Sequence, residues 1–158
     1  MSALETIRLY IAYHTALSRQ VWGSIEQLSD EQFLQDDAYS RGSIRNLMVH
    51  LASVDRRWLS GLKNQPDVGH LAFEDYPDKA SARAVFERVA QDLTDYVATL
   101  SEAELLQNPA DIPSPRMAVL MHMVNHGTDH RATVLQRLNE FGAPSFGQDF
   151  ILWLWSKK

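Results

Sequence analysis

Four stretches of this chain space their apolar residues three and four apart, the period of a helix that buries one face. In the first, Leu4, Ile7, Ile11, His14, Ser18, Val21, Ile25 and Leu28 form one stripe, and Ser2 followed by Glu5 supplies a capping box to open it. The second, roughly 43 to 63, buries Leu47, His50, Leu51, Val54, Trp58 and Leu62; Ser43 caps it, and Gly61, Asn64 and Pro66 mark its end. The third, roughly 80 to 100, carries Ala82, Val85, Phe86, Val89, Leu93, Tyr96, Val97 and Leu100 and no histidine, which reads as scaffold. The fourth starts with Ser114 as N-cap and Pro115 at the first helical position, runs to about Phe141 and stops at Gly142. After Ala143-Pro144, QDFILWLW predicts a short apolar C-terminal helix that packs on the bundle or against a second subunit.

Segments 29–42, 64–79 and 101–114 read as irregular connections, broken by Pro, Gly and Asp. The expected architecture is therefore all-α, a four-helix bundle with a short extra C-terminal helix. The connections are too long for tight hairpins, so crossover topologies are open. One internal echo stands out. Leu28-Ser29-Asp30-Glu31-Gln32-Phe33-Leu34-Gln35 resembles Leu100-Ser101-Glu102-Ala103-Glu104-Leu105-Leu106-Gln107, and each precedes a helix with candidate ligands, which suggests two related helix pairs.

At 158 residues the chain is expected to form a single domain, 1–158, large enough to bury a core without staples. A net charge of −5 and the lack of any basic run argue against nucleic-acid binding. No apolar stretch is long enough to span a membrane, and MSALETIRLY lacks the pattern of a signal peptide, so a cytoplasmic location is expected. Cysteine is absent, which excludes disulfides, thiolate ligands and an internal thiol nucleophile. Any metal site must use nitrogen and oxygen donors, which favours Zn, Ni, Fe, Mn or Cu(II). If thiol chemistry occurs, the thiol arrives with a substrate.

His122, His126 and His130 repeat every four residues in VLMHMVNHGTDHRATVLQ. Residues four apart on a helix are neighbours across a turn, so two such imidazoles can bind one ion. The face drifts by about 40° per four residues, so all three cannot aim at one ion equally well. His50, mid-face on the second helix, supplies a third nitrogen. Three imidazoles from two helices would leave positions for water or substrate, the open arrangement of a catalytic metal. His122 is then a fourth ligand, an outer group or a residue of the bundle end. His14 and Ser18 interrupt an apolar stripe: either His14 is a buried histidine bonded to a neighbour, or the two line a polar pocket. Arg57 and Arg137 either bind an anionic substrate or form surface salt bridges, and Thr133 continues the His126/His130 stripe. Asp129 and Asp55 are candidates to orient an imidazole by accepting its other N–H. His70 lies in a connection and reads as a solvated surface residue. Histidine ligation predicts that metal affinity falls as pH drops through the imidazole range near ~6.5.

NLMVHLASVDRRWL resembles the second-helix segment of the DinB family, a ligand histidine followed by a tryptophan. HMVNHGTDHRAT resembles the family's signature helix, two histidines four apart followed by arginine. The resemblance extends over nearly the whole chain. It implies an up-down-down-up bundle and a divalent metal (Zn, Ni, Fe or Mn) held by His50, His126 and His130, with His122 at a position that is not the usual ligand. It also implies a homodimer and a small-molecule substrate. Some relatives use a low-molecular-weight thiol, as in bacillithiol-type S-transferases and mycothiol-dependent maleylpyruvate isomerases. The resulting expectation is a metal-dependent enzyme of the thiol-dependent S-transferase type. The alternatives are a hydrolase or isomerase using metal-bound water, and a non-catalytic stress-related metal-binding protein. The chain departs from the family at Ala132 and Thr133, where Gly-Gln is common. Alanine still permits close packing, but Thr133 lacks an amide that reaches the pocket.

Overall fold

A computed structural model describes residues 1–157. Its four long helices are α1 (Ala3–Ile25), α3 (Ile44–Leu62), α4 (Lys79–Thr99) and α6 (Arg116–Glu140), with short helices α2 (Asp30–Leu34), α5 (Glu102–Leu105) and α7 (Phe150–Trp155) between and after them. No strand occurs among the described residues.

Side-chain pairings set the direction of each helix. Arg8 at the start of α1 donates to the carbonyls of Val97, Ala98 and Leu100 at the end of α4, while Arg83 near the start of α4 meets Glu26, so α1 and α4 are antiparallel. Ile7 lies beside Met117 and Met121, and His14 and Ser18 meet Arg131, so α1 and α6 are parallel. Trp58 contacts His122 and His50 contacts His130, so α3 and α6 are antiparallel. The Tyr96 hydroxyl donates to the Leu62 carbonyl, which joins the C-terminal ends of α3 and α4. The bundle is therefore up-down-down-up.

Parallel α3 and α4 require the chain between them to return along the full length of the bundle, and it does so as a strap bound to α3. Along the strap, Pro66, Val68, His70 and Phe73 meet Ser60, Arg56, Ser53 and Arg45 in turn. The length of this connection is thus set by topology.

Two of the connections expected to be irregular contain one-turn helices. Ser29 and Gln32 form a capping box at α2, and Ser101 and Glu104 form one at α5. Each turn inserts one fully buried residue, Phe33 or Leu105, into the bundle. These segments are the two halves of the sequence echo, so the echo marks matching plugs. The start of α6 differs by one residue from the expectation. Pro115 is extended and acts as the cap residue, and the backbone N–H of Arg116 is satisfied by the Gln107 carbonyl in place of a Ser114 side chain.

The core divides in two. One cluster, around Trp22, Phe33, Met48, Phe86 and Leu138, fills the end near α2; another, around Leu17, Leu62, Leu93, Leu105 and Met123, fills the end near α5. Between them lie buried polar side chains, His14, Ser18, His50, Ser53, Asp55 and Arg131. The C-terminal helix packs on α1: Phe150 and Trp153 stack around Tyr10 and Tyr13, leaving Ile151, Leu152 and Trp155 about half exposed.

Candidate metal centre

Antiparallel packing of α3 on α6 brings His50 against His126 and His130, although 76 and 80 positions separate them in sequence (126 − 50 and 130 − 50). Their ring centroids lie 5.3 Å (His50–His126), 4.9 Å (His50–His130) and 4.4 Å (His126–His130) apart. One nitrogen from each ring falls within 4.8 Å of the other two, and no fourth His, Asp or Glu among the described residues joins them. His50 is buried at 7% exposure, and the α6 pair is half-buried.

Burial sets the electrostatics of the group. It is the main cause that pushes His50 down to about 3, assisted by the Arg41 guanidinium and then by the neighbouring imidazoles. It likewise pushes His126 down to about 4, with His130 the next cause, against a smaller pull from Asp55. His130 is lowered too, first by burial, with Asp129 opposing. All three rings are neutral at pH 7, with lone pairs free for coordination. His50 Nε2 and His126 Nδ1 are buried without a hydrogen-bond partner. Buried polar atoms in that state carry a desolvation penalty until something binds them. Three neutral nitrogen donors, with the unsatisfied His50 Nε2 among the buried atoms of the group, fit a divalent ion.

The other expected residues have distinct fates. His122 is exposed, sits edge-on to Trp58 and has its ring 6.0 Å from that of His126, outside the three-nitrogen group. Asp129 is exposed and acts on His126 and His130 through its charge alone. Thr133 lines a cavity of about 250 Å³ with Leu47 and Gly42, toward the start of α3. Arg57 lines a larger cavity of about 540 Å³, but its guanidinium forks onto both carboxylate oxygens of Asp67 and contacts His70. Arg137 lines the same cavity as Thr133, with its guanidinium already engaged. It is buried and holds Asp37 together with the Gln35 and Gly42 carbonyls, so its charge is used to pin the loop before α3. Both arginines form salt bridges, Arg57 with Asp67 and Arg137 with Asp37.

His14 and Ser18 do not line an open pocket either; they belong to a closed network. Arg131, fully buried, donates to His14 Nδ1 at 3.0 Å and to Ser18 Oγ at 3.1 Å, and His14 Nε2 reaches Asp55 Oδ2 at 2.9 Å. Gln148 and Thr128 complete the shell of Arg131.

Two residues near the site escape a reading of the sequence. His70 is exposed, as expected, yet the strap lays it across α3, where it contacts Ser53 and Arg57 and acts on His50 through its charge. Arg41, on the loop before α3, acts on both His50 and His130. Neither has a local signal, because each is positioned by a connection whose path is set by tertiary contacts.

Fold and site together define an up-down-down-up helical bundle with a three-histidine group between two antiparallel helices. The DinB family model matches residues 1–158, and the chain belongs to the DinB family. It is similar to the protein DinB of Bacillus subtilis (strain 168), with 25% identity over 160 residues and 92% of each chain covered. The crystal structure of a DinB-like protein from Bacillus cereus ATCC 10987 superposes with a TM-score of 0.66 at 18% identity, over 86% of this chain and 91% of that one. At that identity the likeness speaks for the fold.

Proposed function

We propose that the protein holds a divalent metal ion on His50, His126 and His130 and works as a metal-dependent enzyme of the thiol-dependent S-transferase type. The observation that carries the metal reading is the group itself: three neutral nitrogens within 4.8 Å of one another, with His50 Nε2 buried and unsatisfied by any protein group. The thiol and the transferase type rest on the family resemblance. Bound there, a divalent ion would supply Lewis acidity, lowering the pKa of a thiol brought to it. Three protein ligands leave room for such a group.

The residues around the triad suit a small-molecule substrate. The cavity of about 540 Å³ begins at Val54, one turn along α3 from His50, and continues over Trp58 to Ile112. Its walls are largely apolar there, and the Arg57–Asp67 pair on its rim cancels its own charge. An uncharged apolar portion of a substrate is the better match to this wall, with its reactive end toward the histidines. The same reading includes a homodimer, for which Ile151, Leu152 and Trp155 on α7 offer an apolar face.

Elemental analysis of protein purified without a tag or chelator tests the metal reading, with about one ion per chain expected. His126→Ala and His130→Ala are each expected to weaken binding by more than the ~10–100-fold typical of losing an outer partner, with helical circular dichroism retained. His50→Ala should weaken it more than His122→Ala. Unchanged stoichiometry in the His126 or His130 variant would remove the assignment. On the Co(II)-loaded protein, added thiol should then perturb the visible spectrum; an unchanged spectrum leaves the metal site standing and turns the reading toward a hydrolase or isomerase.

A further inference from the structure

The polar layer in the middle of the bundle fixes its own proton positions. Arg131 can only donate, so His14 Nδ1, 3.0 Å from Nη1, must be an acceptor. The remaining nitrogen, Nε2, therefore carries the proton and donates to Asp55 Oδ2 at 2.9 Å. Asp55 is thus bound on one oxygen. Its other oxygen, Oδ1, is buried with no partner, and a buried carboxylate oxygen left unpaired is costly. His126 Nδ1 is also buried with no partner. The Asp55 charge reaches the His126 ring. Gly127, next in chain to His126, packs so closely on the His14 ring that an added Cβ would lie 2.6 Å from Nδ1, and that same ring holds Asp55. A direct hydrogen bond between them, closed by a small side-chain rotation, would satisfy both orphans.

We propose that Asp55 is the positioning residue of His126: its Oδ1 accepts the His126 Nδ1–H, so that Nε2 presents the lone pair to His50 and His130. His14 on α1, itself held by Arg131, keeps Asp55 in place through its other oxygen. The role rests on the metal reading only for its consequence, since the tautomer of His126 is a property of the metal-free protein.

The isosteric variant Asp55→Asn gives a directional test. Arg131 keeps the His14 proton on Nε2, so the substituted amide must turn its single oxygen to His14 and its NH2 group toward His126, which can then only accept at Nδ1. Nitrogen chemical shifts of the histidine rings, measured by NMR on metal-free protein, should show His126 protonated on Nδ1 in the wild type and on Nε2 in Asp55→Asn. Zn(II) affinity should fall by ~10–100-fold in the variant, the usual cost of losing an outer-shell partner. A wild-type His126 protonated on Nε2 overturns the proposal, as does the same tautomer in both proteins. If the variant does not fold, the wild-type spectrum alone still decides. A correct tautomer in a protein that binds no metal would instead count against the proposed function and leave the positioning contact intact.

Discussion

Gly127→Ala is expected to destabilise the protein by about 3 kcal/mol, although alanine is the better helix former by roughly 1 kcal/mol. Gly127 sits inside α6 with no turn to make, so backbone freedom does not explain it. Its use is close approach: an added Cβ would run into His14 Cε1, lie 2.6 Å from Nδ1 and lie 3.0 Å from Arg131 Nη1. A side-chain ring with a free face could swing away. His14 cannot, because Asp55 holds one nitrogen and Arg131 the other. Making room means breaking a buried, charge-assisted network, which leaves Arg131 or Asp55 uncompensated between two apolar clusters. Gly23 is the control. It is exposed on α1 with nothing within 4 Å of an added Cβ, so Gly23→Ala should stabilise by ~0.5–1 kcal/mol. Denaturant unfolding of the two variants beside the wild type measures both, and shifts of the same sign would contradict the account of Gly127.

Much of this arrangement is legible in the sequence for a specific reason. Helical stripes are written in local spacing, and α1, α3 and α4 bury most of the faces that their three-and-four pattern names, with Val54, Trp58 and Tyr96 only partly covered. The polar residues that interrupt those stripes are the informative ones. His14 and Ser18 break the apolar face of α1, and parallel packing of α1 on α6 sets Arg131 beside them. His50 interrupts the α3 stripe in the same way and finds the α6 histidines. The family resemblance then picks His50, His126 and His130 as ligands, where spacing alone leaves His122 in contention.

What spacing does not reveal is carried by connections. The fate of Arg57 depends on Asp67 in the returning strap, and that of Arg137 on Asp37 before α3. Neither partner lies at helical spacing from its arginine, so the choice between substrate clamp and salt bridge is set by tertiary path. The short helices α2 and α5 escape a periodicity argument because one turn is too brief to show a period, but the capping boxes Ser29/Gln32 and Ser101/Glu104 are present to be read. Those boxes and the plugs Phe33 and Leu105 explain why the echo pairs these two segments: each closes one end of the bundle.

Lowering the pH of the metal-free protein from 7 to 4.5 is expected to cost about 3 kcal/mol of stability, mostly through the three site histidines. The sign follows from where protons bind. In the unfolded chain these imidazoles titrate near ~6.5. In the folded protein His50 is pushed down to about 3 and His126 to about 4, by burial first, and His130 is lowered as well. Between those values the unfolded chain takes up protons that the folded one refuses, so stability falls as pH drops through that window. The carboxylates act elsewhere. Asp67 is held down to about 2 chiefly by its hydrogen bond from Arg57, and its contribution is lost only as pH falls below the ordinary carboxylate range. Glu102 and Glu104, lowered by hydrogen bonds from Ser2 and Ser101, begin to contribute only near pH 4.5, so denaturant midpoints at pH 7, 6 and 5 report chiefly on the histidines, and His50→Gln should flatten the slope. Metal affinity carries the companion expectation. Because the folded rings are already deprotonated, proton competition should set in below about pH 5, not near the ~6.5 that histidine composition alone suggests. A stability curve that is flat from pH 7 to 5, with metal affinity halving near 6.5, would show imidazoles in ordinary contact with water and an open surface cluster in place of a buried site.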